Sequence, residues 1–138
     1  MKIYGNSALL GVFLCLTGCT VGPQQGDVLV NQLDGSLAQL QVDTKQLHQR
    51  LQRLTADKSC VQAAQCKVLP VGHRPCGGPE QYLVYSSQTT DEKLLAITNA
   101  RYKKLKQEQQ QRLGFRSSCQ MLPEPVAACQ QQQCQLLP

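Results

Sequence analysis

Tryptophan is missing from this 138-residue chain, and aromatics of any kind are scarce: four tyrosines and two phenylalanines. A chain so poor in large apolar side chains has little with which to build an oily core, and small domains in that position commonly depend on disulfides. Histidine occurs twice, which removes most general-base and metal-ligand arrangements. There is no glycine-rich phosphate loop, no Gly-x-Ser-x-Gly elbow and no His-Glu-x-x-His helix. Nucleotide hydrolysis, serine-esterase chemistry and zinc proteolysis therefore have no basis in sequence. No apolar run reaches the roughly 20 residues that a bilayer-spanning helix needs. Acidic charge is also short, with 14 Lys and Arg against nine Asp and Glu.

What is present begins with Lys2 and a short apolar stretch containing Leu9, Leu10, Val12, Phe13 and Leu14, which ends in Leu16-Thr17-Gly18-Cys19. A basic start, a short apolar core and small residues before a cut describe a secretory signal. Leu-Thr-Gly-Cys at the end of such a core resembles the lipobox of bacterial lipoproteins. The resemblance implies cleavage before Cys19, lipid on its thiol and attachment to a membrane, durable because several acyl chains exceed the marginal hold of one. It further implies, from Thr20, sorting to the outer membrane facing the periplasm in a Gram-negative cell. Residues 1–18 are expected to be the signal and 19–29 a tether, small, polar and broken by Gly22, Pro23 and Gly26.

Export changes the meaning of the eight cysteines. Cys15 leaves with the signal and Cys19 takes lipid. Cys60, Cys66, Cys76, Cys119, Cys129 and Cys134 remain, an even set that reads as three disulfides whose pairing the sequence leaves open. The set falls into two clusters, 60–76 and 119–134, on either side of a helix-like segment, so at least one bridge is expected to join them. Zinc is the rival chemistry for closely spaced thiolates. The spacings contain no Cys-x-x-Cys knuckle, and neither a metal nor another cofactor is expected.

Val30, Leu33, Leu37, Leu40, Thr44, Leu47, Leu51 and Leu54 recur at alternating spacings of three and four. A 3.5-residue repeat is the seam of a coiled coil. It predicts a helix over 30–58, with Asp34-Gly35-Ser36 as a point of interruption and His48 on the exposed side. Two readings stay open: self-association into a stalk through the 30–54 stripe, or one amphipathic helix packed on its own domain. Over so few heptads, periods of 3.5 and 3.6 are hard to separate.

Residues 59–138 are expected to form a disulfide-rich α+β domain of short antiparallel strands and one helix. Gln65–Pro70 and Gln81–Ser86 have strand composition and flank a Pro- and Gly-rich loop. Thr89 with Glu92 offers a capping box. Leu94, Leu95, Ile97, Tyr102 and Leu105 follow at helical spacing until Gly114. Cys119–Pro123, Pro125–Cys129 and Cys134–Leu137 read as strands, the last two joined through Gln130–Gln133. The run Cys66-Lys-Val-Leu-Pro-Val-Gly-His-Arg-Pro-Cys-Gly-Gly-Pro79, with Tyr82-Leu-Val-Tyr-Ser86 after it, resembles a group of small cysteine-rich exported proteobacterial proteins over about residues 60–134. That resemblance implies a fold unit and no mechanism.

Two surfaces are functional candidates. The loop Gly72–Pro79 is tethered at Cys76 and carries His73 and Arg74; a purely structural turn is the alternative. Arg101, Lys103, Lys104 and Lys106 form a basic stripe suited to anionic surfaces, with a solvated helix face as the alternative. Nucleic acid is not an expected partner, since no aromatics are interleaved for stacking. An enzyme is not expected either: a cysteine nucleophile needs a thiolate beside a base, and these cysteines have oxidised partners. The expected role is that of a noncatalytic lipid-anchored envelope protein that binds or supports another envelope protein or polysaccharide. The rival role is inhibition of a secreted hydrolase, because disulfide-fixed loops are preorganised for active sites. A protease suits it better than lysozyme, which would be repelled as one basic protein by another.

Overall fold

The computed structural model describes residues 25–114 and 119–137, with side chains from residue 35 onward; the signal, Cys19, Val30 and Leu33 lie outside what it describes at side-chain level. The chain runs helix α1 (Gln25–Leu54), a 3-10 turn at Ala63–Gln65, strands β1 (Cys66–Val71) and β2 (Gln81–Ser86), helix α2 (Glu92–Leu113), and strands β3 (Val126–Gln130) and β4 (Gln133–Leu137). It is an α+β arrangement of two helices, short antiparallel strands and three disulfides.

Helix α1 starts at Gln25, so the second half of the expected tether is helical, and Asp34-Gly35-Ser36 does not interrupt it. A mid-helix glycine costs about 1 kcal/mol, which a helix packed along one face can absorb. The helix stops at Leu54 instead of residue 58; Thr55 turns its hydroxyl back to the Leu51 carbonyl at 3.0 Å. Helix α2 is capped by Asp91, whose carboxylate accepts from the Leu94 N–H at 2.9 Å. The capping box expected at Thr89 does not form, because the Thr89 hydroxyl donates across the chain to the Asp57 carbonyl at 2.7 Å. Gly114 closes α2 in the left-handed conformation, φ 62°.

The helices run antiparallel, with Thr90 at the head of α2 reaching the Leu54 carbonyl and Arg112 at its foot reaching Ser36. Leu40, Thr44 and Leu51 of the stripe are buried, and Leu47 and Leu54 pack against the same core. From Leu40 to Leu54 the stripe is therefore covered by its own chain, the packed-helix reading for that part. His48 is half-buried and not exposed: its Nε2 lies 2.7 Å from Gln81 Nε2, and its ring lies 5.6 Å from that of Tyr102.

The β1–β2 ribbon is the middle layer. Its register pairs Leu69 with Leu83 and Val71 with Gln81, and strand alternation sends Leu69, Val71, Leu83 and Tyr85 to one face. That face meets Leu51, Leu95 and Tyr102 of the helices. Cys66 and Val84 point the other way, into a second cluster with Cys60, Cys134, Ala127 and Cys129. Pro70 is tolerated because a two-stranded ribbon leaves every strand at an edge; its carbonyl accepts from Asn99 Nδ2 at 3.0 Å.

Strands β3 and β4 pair Gln130 with Gln133, so the connection is a two-residue turn and not the four-residue loop expected. Gln131 and Gln132 carry it at φ 51° and 60°, the double left-handed geometry of a type I′ hairpin turn. The chain at 58–60 runs beside β4, with Cys134 N–H donating to Lys58 and Cys60 N–H to Gln132. The strand expected at Cys119–Pro123 is absent: residues 119–125 are irregular and Cys119 has φ 55°. Pro123 and Pro125 donate no N–H, and the Gln120 and Leu122 carbonyls accept from the side chains of Arg74 and Tyr82 instead of a ladder.

All three bridges span the two cysteine clusters: Cys60–Cys129, Cys66–Cys134 and Cys76–Cys119. Leu51, with 0 % exposure, should be the most sensitive position of the stripe. With disulfides intact, Leu51→Ala is expected to cost about 2–5 kcal/mol in denaturant unfolding, against about 0.5 kcal/mol or less for Val42→Ala on the exposed side.

Candidate functional site

The loop between β1 and β2 is built by its glycines and clamped from outside. Gly72, at φ 81°, has no room for a Cβ, which would lie 2.4 Å from Glu80 Oε2 and 2.9 Å from Glu80 Cβ. A tight turn follows, closed by Gly77 N–H to the Arg74 carbonyl at 2.8 Å and by Arg74 N–H to the Gly78 carbonyl at 3.1 Å. Three further contacts fix the loop to distant chain: the Cys76–Cys119 bridge, Arg74 Nη1 donating to the Gln120 carbonyl at 2.6 Å, and Gln110 Nε2 donating to the His73 carbonyl. Arg74 is thus half-buried and engaged in holding the 119–122 segment. The His73 side chain lines an open depression with Pro75, Gln107, Gln110, Gln111 and Gly114.

The basic stripe divides. Lys106 pairs with Glu80 at 2.9 Å. Lys104 lies in a shallow dip with Gln107, Glu108 and Gln111, and Lys103 is half-buried beside it. Arg101, one turn before Lys104 on α2, lines the groove against α1 together with Arg50 and Arg53. The four cations that sit together in sequence thus differ in surroundings: Lys106 is engaged by Glu80, and Arg101 lines a different depression from Lys104. The structure joins Arg101 to two arginines that were not singled out. Arg50 and Arg53 carry a faint sequence signal, the same face of a helix three residues apart, but which face abuts α2 depends on the packing.

Charge elsewhere is mostly structural. Glu92 accepts from Lys67 Nζ at 2.8 Å and from Tyr85 OH at 2.9 Å, and these two bonds hold its carboxyl below the usual range. Burial, and then Glu92, push the Tyr85 hydroxyl up to about 12. Tyr102 is pushed up to about 12 by burial and by Glu80, whose Oε2 lies 3.5 Å away.

Every cysteine among the described residues is in a bridge, so no thiolate is available there as a nucleophile or metal ligand. Among the described residues, Cys60, Cys66 and Cys134 bring their sulfurs within 4.8 Å of one another, a spacing that could suit a metal. Two adjoining disulfides account for it. No described helix is long and apolar enough to cross a membrane. Comparison with protein-family models, curated proteins and solved structures finds no match to the chain.

The two raised tyrosines give an alkaline signature. Raised folded-state values mean that the folded chain keeps protons which the unfolded chain loses near pH 10. Stability should be intact below about pH 10 and fall as pH rises toward about 12. Phenolate absorbance is expected to show Tyr85 and Tyr102 ionising late and together with unfolding, and Tyr102→Phe to remove one late step.

Proposed function

We propose that this chain is a noncatalytic lipid-anchored envelope protein whose disulfide-held domain presents a binding surface to another envelope component. The observation that carries it is the union of Leu16-Thr17-Gly18-Cys19 with a domain whose six other cysteines are all bridged. Disulfides persist in oxidising compartments, so export accounts for the framework and the framework supports export. Once Cys15 leaves with the signal, Cys19 is the odd cysteine that pairing leaves over, which suits a thiol consumed by lipid. The proposed setting is the outer membrane facing the periplasm. In a chain held there, helix α1 leads from the anchor to the domain. Self-association through the 30–54 stripe would rest on its N-terminal part, since Leu40 to Leu54 face their own chain.

A second reading, inhibition of a secreted protease, is supported by the clamped 72–79 loop: a segment bridged at its centre and hydrogen-bonded at its base resists cleavage and loses little entropy on docking. Incubation of the oxidised protein with trypsin-like and subtilisin-like proteases tests it. Stoichiometric loss of protease activity, abolished when Cys76 and Cys119 are both changed to Ser, would establish inhibition; unimpeded activity throughout would remove it.

The main proposal is tested by mass spectrometry of the protein taken from membranes of the producing cell. The expected product begins at Cys19 and carries acyl chains, and Cys19→Ser releases the protein from the membrane fraction. An unmodified Cys19 in the mature protein would overturn the proposal.

A further inference from the structure

Three of the five arginines among the described residues line a single groove. Arg50 and Arg53 project from α1 and Arg101 from α2, with Gln46 and Leu47 along the groove and Asp43 also lining it, around an open volume of about 310 Å³. The other two are engaged: Arg74 holds the Gln120 carbonyl, and Arg112 reaches Ser36 and Glu108. Arg50, Arg53 and Arg101 have no ion pair and no hydrogen bond among the described residues. Asp43 is the single acidic side chain lining the groove, so the three like charges there are only partly offset. Arg53 lies in the last turn of α1, where a cation suits the helix C-terminus, but neither Arg50 nor Arg101 is needed for the core, whose contacts in this stretch are made by Leu47, Leu51 and Leu95.

We propose that the α1–α2 groove is a binding site for a phosphomonoester, the oxyanion lodging among Arg50, Arg53 and Arg101. This rests on the reading of the domain as a noncatalytic binding module. Guanidinium is planar, always charged and matched to oxyanions through paired N–H groups. Three arginines with Asp43 opposed leave two positive charges to neutralise. A phosphomonoester carries about −1.5 to −2 at neutral pH and three acceptor oxygens, whereas a carboxylate or a phosphodiester supplies one charge and leaves the other unanswered. The groove is lined by no aromatic side chain, so recognition lies in the phosphate and not in a stacked ring. That points to an anion, free or at the end of a sugar, and away from nucleic acid bases.

The test is calorimetric titration of the full-length oxidised protein in neutral detergent at constant ionic strength, using inorganic phosphate, glucose 1-phosphate and acetate. Phosphate or glucose 1-phosphate is expected to bind and acetate to be at least tenfold weaker; which of the two binds more tightly distinguishes a free anion from a sugar-borne one. Arg101→Gln and Arg50→Gln should each weaken binding at least tenfold while retaining three disulfides and the same helicity, whereas Lys103→Gln with Lys104→Gln should leave it unchanged. Affinity should also fall as pH drops through about 6, where a phosphomonoester gives up its second charge and the arginines do not. Equal binding of acetate, equal loss in the lysine variant, or no phosphate binding at all would each overturn the site. Arginine-dependent adsorption to phosphatidylglycerol vesicles without phosphate binding would replace it with a membrane contact. These outcomes are separable from the fate of the anchor: acylation of Cys19 does not depend on the groove, and phosphate binding does not depend on acylation.

Discussion

Two disulfides lying side by side, Cys60–Cys129 and Cys66–Cys134, tie the β3–β4 hairpin to the rest of the chain, and the layering depends on them. Each sheet has only two strands, and a two-stranded hairpin is at best marginally stable alone in water. The β1–β2 ribbon is supported on its helix face by Leu51, Leu95 and Tyr102, but its other face, which carries Cys66 and Val84, meets little besides Ala127 and the sulfurs of Cys60, Cys129 and Cys134. Closing a loop of nearly 70 residues removes about 4 kcal/mol of unfolded-state freedom in the chain-entropy model. The two loops overlap, so their effects do not simply add. That restriction takes the place of the apolar area which a chain without tryptophan does not have.

The same economy shapes the surface. With so much of the framework covalent, the 72–79 loop need not fold onto a core; it is held by one exposed bridge, by its own Arg74 on the Gln120 carbonyl and by Gln110 on the His73 carbonyl. Arg74, a recognition candidate in the sequence, and Gln110 are used to fix backbone carbonyls. The residues left without internal work lie instead along α1 and α2, where Arg50, Arg53 and Arg101 converge. In this molecule the loop's polar side chains hold structure, and the arginines without internal partners sit on the helices, the reverse of the common expectation for loops.

Periodicity and spacing revealed the elements well where they depend on local rules. The 3-4 stripe of α1, the Gly114 stop of α2, the two strands beside the Pro- and Gly-rich loop and the final hairpin all follow from residue type and interval. Errors arose where a residue had a better partner far away. Thr89 gives its hydroxyl to Asp57, so Asp91 caps the helix. The carbonyls of 120 and 122 are taken by Arg74 and Tyr82, so no strand forms there. His48 falls beside Tyr102 because α1 packs on α2, a placement that the seam pattern does not contain.

Composition and spacing by themselves determined that this chain needs cross-links, that its helix has one apolar stripe, that its cysteines fall into two clusters, and that Cys19 stands apart from them. These are properties of residue type and interval, carried by the chain before it folds. Only the tertiary structure decided which cysteines pair, whether the stripe from Leu40 to Leu54 faces a neighbour or its own domain, and which cations meet. Each of those is a question of which distant surfaces come within a few ångströms: the packing of α1 on α2 decides the stripe and the cations, and the placement of the β3–β4 hairpin and the 119–125 segment against the β1–β2 ribbon and its loop decides the pairing.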